Sequence, residues 1–166
     1  MTILAIDPGN EQSAFVIYDP DTGAIHGKGI HANGSLRKEI LTHFVKSSTS
    51  EPRHLAIEMV ACYGMAVGVT IFDTAFWVGR FVEAWESTGE DHTIIYRKDV
   101  KMHLCNSMRA KDSNIRQALI DRFGPGKDKA IGKKATPGPL YGFKKDLWAA
   151  LAVAVTFADA KLEGEK

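Results

Sequence analysis

The stretch Ile3-Leu4-Ala5-Ile6-Asp7-Pro8-Gly9-Asn10 reads as an apolar strand that delivers a carboxylate to its carboxyl end, just before a Pro-Gly break. Residues 54–58 form a second apolar strand that ends at Glu58, and Asp146 opens an apolar helix late in the chain. Carboxylate oxygens are the ligands that hard divalent cations take in proteins. The three acids together therefore predict a divalent-cation site, although each alone could be a turn residue, an exposed strand-end acid or a helix first-turn acid.

The composition is that of a soluble globular protein. The 166 residues are 45% hydrophobic, 25% charged and 9% aromatic, which argues against a disordered or fibrous chain. This length predicts one domain covering residues 1–166. No basic region followed by a long apolar segment opens the chain, and no stretch reaches the roughly 18 uncharged residues of a membrane span, so we expect a cytoplasmic protein without a membrane partner. Cys62 and Cys105 lack metal-ligand spacing and are expected to be free thiols.

The net charge of +1 hides an uneven distribution along the chain. Residues 97–145 contain 13 Lys and Arg against 4 Asp, a local balance of +9, whereas the other residues carry 8 basic and 16 acidic side chains. This segment could attract a polyanion such as nucleic acid, or it could be a solvated lysine-rich surface.

Apolar periodicity predicts a mixture of strands and helices. The runs that predict strands cover residues 2–7, 13–19, 24–30, 54–58 and 93–96. The helical patterns cover residues 35–47, 66–86, 100–106, 113–123 and 145–161. A turn at residues 19–23 should join the second and third strands as a hairpin, and the Lys-, Gly- and Pro-rich residues 127–142 are expected to form a mobile basic loop.

The helix predicted over residues 66–86 is apolar on more than one face. One stripe runs from Val67 to Trp85, and a second set consists of Val69, Phe72 and Phe76. Such a helix needs two partners. The sheet would be one, and the other is either the same helix of a second subunit or another part of the same chain.

Four stretches carry the most specific pattern: residues 3–9 (ILAIDPG), 55–58 (LAIE), 100–119 (VKMHLCNSMRAKDSNIRQAL) and 137–154 (PGPLYGFKKDLWAALAVA). In this order they resemble the RuvC-type Holliday junction resolvases, in particular the divergent forms carried by bacteriophages. The resemblance implies a ribonuclease H-like α/β fold, with a mixed five-stranded sheet in the order 3-2-1-4-5 flanked by helices. It also implies a homodimer, in a bacterium or a phage-infected cell, that cuts two symmetric strands of a four-way (Holliday) DNA junction.

The resemblance gives the three acids a common role. Hydrolysis of a phosphodiester needs an activated water and a stabilised leaving 3′ oxygen, which two Mg²⁺ ions about 4 Å apart supply, with Mn²⁺ as an alternative. Asp7 would bridge the ions, Glu58 and Asp146 would hold one each, and the product would carry a 5′ phosphate. The family commonly has a second aspartate one turn later on the final helix, where this chain has Ala149. Residues three apart share a helix face, so Ala149 should lie beside the ions without binding them.

Basic residues of the matching stretches are candidates for DNA contacts. Lys101 matches a family lysine and Lys111 lies next to another, whereas further lysines of the basic segment could hold the backbone near the cut. Tyr63 could stack on an unpaired base at the junction centre, or simply pack within the fold. The predicted DNA-binding residues are Tyr63, Lys101, Lys111, Lys133, Lys134, Lys144 and Lys145.

Two rival functions remain compatible with the sequence. Ala149 in place of an acid also fits a protein that binds junctions without cutting them. The acids alone do not select a substrate, so a ribonuclease H-like nuclease acting on RNA, hybrids or other branched DNA is a second rival.

Overall fold

The computed structural model describes residues 1–43, 53–62, 64 and 66–164, and it is built around a mixed sheet. Its five strands are β1 (Ile3–Asp7), β2 (Gln12–Asp19), β3 (Ala24–Ala32), β4 (His54–Met59) and β5 (Asp91–Tyr96). They lie in the order β3-β2-β1-β4-β5. Because β1 pairs antiparallel with β2 and parallel with β4, the predicted mixed sheet with order 3-2-1-4-5 is confirmed.

Helices cover both faces of this sheet. They are α1 (Asn33–His43), α2 (Val69–Glu86), α3 (Arg97–Cys105), α4 (Asp112–Phe123), α5 (Lys127–Ala130) and α6 (Leu147–Gly164). No helix within the described ranges combines the length and the apolar character that a membrane crossing requires.

The apolar run of β1 is explained by burial on both faces of the sheet. Ile3 and Ala5 belong to a core cluster that includes the apolar face of α6, whereas Leu4 and Ile6 belong to a cluster with α1 and α2. All four side chains are fully buried. Since side chains alternate along a strand, Asp7 must share the α6 side of the sheet with Ile3 and Ala5.

The turn after Asp7 is held by buried polar groups. The Asn33 side chain donates to the carbonyl of Gly9 at 2.8 Å and accepts from the Ser13 hydroxyl at 2.6 Å. A side chain at Gly9 would place a Cβ 2.4 Å from the carbonyl oxygen of Gln12, so this tight turn requires glycine. The helix α1 begins at Asn33 rather than at the predicted residue 35.

Residues 127–142 contain regular secondary structure, whereas the sequence predicted a loop. After α5 they form a short hairpin of β6 (Gly132–Lys133) and β7 (Thr136–Pro137). Ala130 and Leu140 are fully buried, and the amide of Leu140 donates to the carbonyl of Ala130 at 2.8 Å. Two buried side chains therefore anchor this segment to the core, and the prediction of a loop without secondary structure is wrong.

The second apolar set of α2 is exposed. The exposed fractions of Val69, Phe72 and Phe76 are 75%, 66% and 63%, whereas Phe81 and Trp85 on the sheet side are fully buried. The described part of the chain thus supplies a partner for only one face of α2, which excludes a helix buried on both sides by those residues.

Candidate active site

Strand pairing brings Asp7 and Glu58 together. Ile6 of β1 lies opposite Ile57 of the parallel strand β4, and each acid is the next residue along its strand. Neighbouring strands lie about 4.8 Å apart, and both acids follow a residue of the α1–α2 cluster. Both carboxylates therefore lie at the same end of the sheet and on its α6 side.

Asp146 reaches this end of the sheet from the start of α6. The helix begins at Leu147, two residues later than predicted, so Asp146 precedes the helix instead of lying inside it. Its carbonyl accepts the amide of Ala150 at 3.0 Å, as expected of the residue that starts a helix. Lys145, with a φ of 47°, turns the chain sharply just before Asp146.

One cavity of about 270 Å³ gathers the three predicted acids. Asp7, Glu58 and Asp146 all line it, and so does Ala149. The side chain of Glu58 is only 14% exposed, whereas Asp146 is exposed to solvent. Ala149 therefore lies beside the acids and adds no ligand, as its helix position predicted.

The same cavity contains an arginine and a fourth acid that the sequence reasoning did not include. Nη1 of Arg97 lies 3.4 Å from Oε2 of Glu58, and Nη2 donates to Oδ1 of Asp112. Arg97 directly follows β5, which is parallel to β4, and Asp112 begins α4. The signal that could have found Arg97 is its position at the carboxyl end of a strand, where parallel strands commonly place functional residues.

Burial and the neighbouring charges shift the pKa values of the residues in this cavity. Burial, followed by the charges of Glu58 and Asp146, raises the pKa of Asp7 to about 8. Burial also raises the pKa of Glu58, although Arg97 opposes this shift. Burial acts to lower the pKa of Arg97, but Glu58 and Asp112 outweigh it and raise the pKa. The cavity thus concentrates negative charge that one guanidinium neutralises in part.

The acids do not form a finished ligand cage. Within the described residues, no group of three or more His, Cys, Asp and Glu side chains is arranged so that it could hold a metal ion as it stands. Arg97 occupies the space beside Glu58 instead. A cation that bound here would compete with this guanidinium for Glu58.

The predicted DNA-binding lysines fall into two groups. Of the six lysines only Lys145 lines the cavity of the acids, whereas Lys144 lines a neighbouring cavity and the charge of Lys101 acts to lower the pKa of Glu58. The other three are exposed and line neither the cavity of the acids nor the one beside Lys144: they are Lys111 at the start of α4 and Lys133 and Lys134 in the β6–β7 hairpin. Tyr63 lies outside the described residues.

Comparisons with known proteins identify the fold. No protein-family model and no curated protein matches the chain. RuvC of Thermus thermophilus superposes with a TM-score of 0.72 at 16% identity, over 98% of this chain and 97% of RuvC. The same organism's RuvC in complex with a Holliday junction substrate gives a TM-score of 0.70 at 15% identity, over 99% and 96% of the two chains.

A viral protein has the same arrangement. The fowlpox virus resolvase in complex with substrate Holliday junction DNA gives a TM-score of 0.54 at 12% identity, over 98% of this chain and 99% of that one. The likeness to RuvC extends over almost the full length of both chains and confirms the ribonuclease H-like fold that the sequence resemblance implied.

Proposed function

We propose that this protein is a divalent-metal-dependent endonuclease that resolves four-way or related branched DNA junctions. The observation that carries the proposal is the meeting of Asp7, Glu58 and Asp146 in one cavity of a fold shared with two resolvases, both seen in complex with junction DNA. In hydrolysis with a leaving 3′ oxygen, the product would carry a 5′ phosphate.

The donor set of the cavity suits magnesium or manganese. Its acids offer only oxygen ligands, which hard cations prefer. The raised pKa of Asp7 reflects burial and repulsion between carboxylates, and a bound cation would relieve that repulsion. Asp7 would be shared between two ions, and Glu58 and Asp146 would hold one each. When bound, these ions would make a water nucleophilic and stabilise the leaving 3′ oxygen.

The protein's own side chains would prepare the phosphodiester for attack. Arg97 and Lys145 are the cations that line the cavity, and a guanidinium can bind two phosphate oxygens at once. Asp112 holds Arg97 in place through a charge-assisted hydrogen bond. From this position Arg97 would bind the scissile phosphate, and Asp7 must lose its proton before it can act as a ligand.

The exposed apolar face of α2 supports a homodimer. Val69, Phe72 and Phe76 lie on one helical face at spacings of three and four residues, and each is more than 60% exposed. A second copy is the partner that matches the substrate, because two symmetric cuts in a two-fold symmetric junction require two copies of the site.

A panel of labelled substrates tests the function. Wild-type protein with Mg²⁺ should nick a synthetic four-way junction on two symmetric strands, and it should leave linear duplex and RNA–DNA hybrid largely intact. Equal cutting of all three substrates would instead indicate a general ribonuclease H-like nuclease.

Ala149 favours a second candidate, a junction-binding protein without cleavage. The side chain adds no ligand where it faces the acids, and Arg97 already neutralises Glu58. Tight, selective binding of the four-way junction with no product in Mg²⁺ or Mn²⁺ would establish this alternative.

A further inference from the structure

A groove crosses the mouth of the carboxylate cavity. A cavity of about 440 Å³ adjoins it on one side and a cavity of about 400 Å³ on the other. Lys145 lines all three, and Trp148 lines the central cavity and the 400 Å³ cavity, so the three adjoin one another. We use "the groove" for this set of three cavities.

Both ends of the groove are basic although its centre is acidic. The 440 Å³ cavity is lined by Lys28, Lys144 and Lys145, and no acid is present among the described residues that line it. Arg116 and Lys127 line the 400 Å³ cavity, together with Asp112 and the shared Lys145. A polyanion lying along the groove would therefore meet cations, then the carboxylates, then cations again.

A row of cation–ring and ring–ring contacts holds two of these cations. Nζ of Lys28 lies 5.0 Å from the ring centre of Phe143, and Cζ of Arg116 lies 4.9 Å from that of Trp148. The two rings are themselves 5.4 Å apart. The row thus runs Lys28, Phe143, Trp148, Arg116, and it links β3 to α4 across the residues that flank Asp146.

We propose that the groove is the path of the DNA strand that is cut, with Lys28 and Arg116 binding backbone phosphates on opposite sides of the carboxylates. This inference rests on the proposed nuclease function and specifies where its substrate lies. Neither Lys28 nor Arg116 is among the DNA-binding residues predicted from the sequence.

The aromatic row explains why these two cations would be effective. A cation held against an aromatic ring keeps its charge but has already lost much of its side-chain freedom, so binding a phosphate costs less ordering. Trp148 is only partly exposed and lies against both Arg116 and Phe143. The tryptophan therefore serves to position the cation rather than to stack on a DNA base.

Binding without cleavage measures the phosphate contacts. In Ca²⁺, Lys28→Gln and Arg116→Gln should each weaken binding to the four-way junction by about 5- to 20-fold and lower the salt slope of log affinity by roughly 0.9. Lys38→Gln is the matched control, because Lys38 is an exposed lysine on α1, on the other face of the sheet. Trp148→Leu should weaken binding about 3-fold while leaving the salt slope unchanged, since it removes no charge.

Crosslinking measures the path itself. A photoreactive amino acid placed at position 28 or at position 116 should crosslink to one strand on opposite sides of the cut, or of the crossover if no cut occurs. Crosslinks on the same side, or wild-type affinity and salt slope in both glutamine variants, would overturn the proposed path while leaving the nuclease function intact. A wild-type protein that binds the junction along this path without cutting it would contradict only the nuclease function, and a protein that binds no DNA would contradict both.

Discussion

The carboxylate cavity should destabilise the metal-free protein, and Asp7→Asn should relieve this cost. The burial of Asp7 and the negative charges of Glu58 and Asp146 together raise its pKa from 3.8 to about 8. An asparagine has nearly the same shape but carries no charge at any pH. We therefore expect the substitution to stabilise the protein when metal ions are removed by a chelator.

The magnitude follows from the difference between the two pKa values. Each unit of pKa corresponds to about 1.4 kcal/mol. The folded pKa is the higher one, so the stability that Asp7 contributes is fully present below pH 3.8 and is lost as the pH rises towards about 8. At pH 7 the full shift would amount to about 4 kcal/mol. Because Asp7 remains partly exposed and neighbouring side chains can move, we expect about 1–2 kcal/mol.

Urea unfolding of both proteins between pH 5 and pH 9 measures this effect. The stability of Asp7→Asn relative to the wild type should increase with pH, by at most about 1.4 kcal/mol per unit, and become constant above pH 8. The histidines titrate in both proteins, so their effect on the free energy of unfolding cancels when the two values are subtracted. An asparagine variant that is less stable at pH 8, or a difference that does not change with pH, would refute the reasoning.

Three further predictions concern residues around the site and on α2. Arg97→Met should raise the Mn²⁺ affinity measured by calorimetry roughly tenfold, because it removes the cation beside Glu58, and weaker binding would contradict this. Phe72→Asp should convert a dimer into a monomer in light scattering, whereas Leu162→Asp, at another exposed apolar side chain, should not; an unchanged mass would place the interface elsewhere. Ala149→Asp should increase cleavage at limiting Mg²⁺ by about tenfold, and an unchanged rate would show that a fourth carboxylate adds nothing.

The strand order and the meeting of the acids could be predicted because they depend on local patterns and a known resemblance. An apolar run that is buried on both faces has a distinctive composition, and an acid that follows it lies at the end of the strand. Asp7 and Glu58 follow such runs, and the parallel pairing of β1 with β4 brings them side by side. Asp146 lines the same cavity as the other two acids, but it precedes its helix, whereas the apolar pattern predicts that it lies inside the helix.

The other features of the site depend on contacts between distant parts of the chain. Arg97 meets Asp112 because the turn between α3 and α4 folds back, and no periodicity reports such a pairing. Lys28 meets the ring of Phe143 only because β3 lies beside the segment that precedes α6. Such side chains have ordinary neighbours in sequence, so their roles become visible only in three dimensions.

The secondary structure of residues 127–142 could not be predicted for a related reason. Its Lys, Gly and Pro content is typical of an exposed loop. The buried side chains of Ala130 and Leu140 are too few and too small to produce a recognisable pattern. A side chain at Gly138 would place a Cβ 2.3 Å from the carbonyl oxygen of Lys129. This glycine therefore permits close packing of the chain, although in the sequence it is typical of a flexible loop.

Whether the three acids form a cutting site is tested most directly by one paired measurement on a labelled four-way junction. Wild-type protein and Asp146→Asn are compared at saturating concentration in Mg²⁺, with bound junction and cleaved product quantified in the same samples. Asp146 is exposed and lies outside the core, so the substitution should leave the fold intact. We predict junction binding within about 2-fold of the wild type and cleavage reduced by at least about 100-fold, as expected when a metal ligand is lost. Cleavage by Asp146→Asn at the wild-type rate would contradict the account.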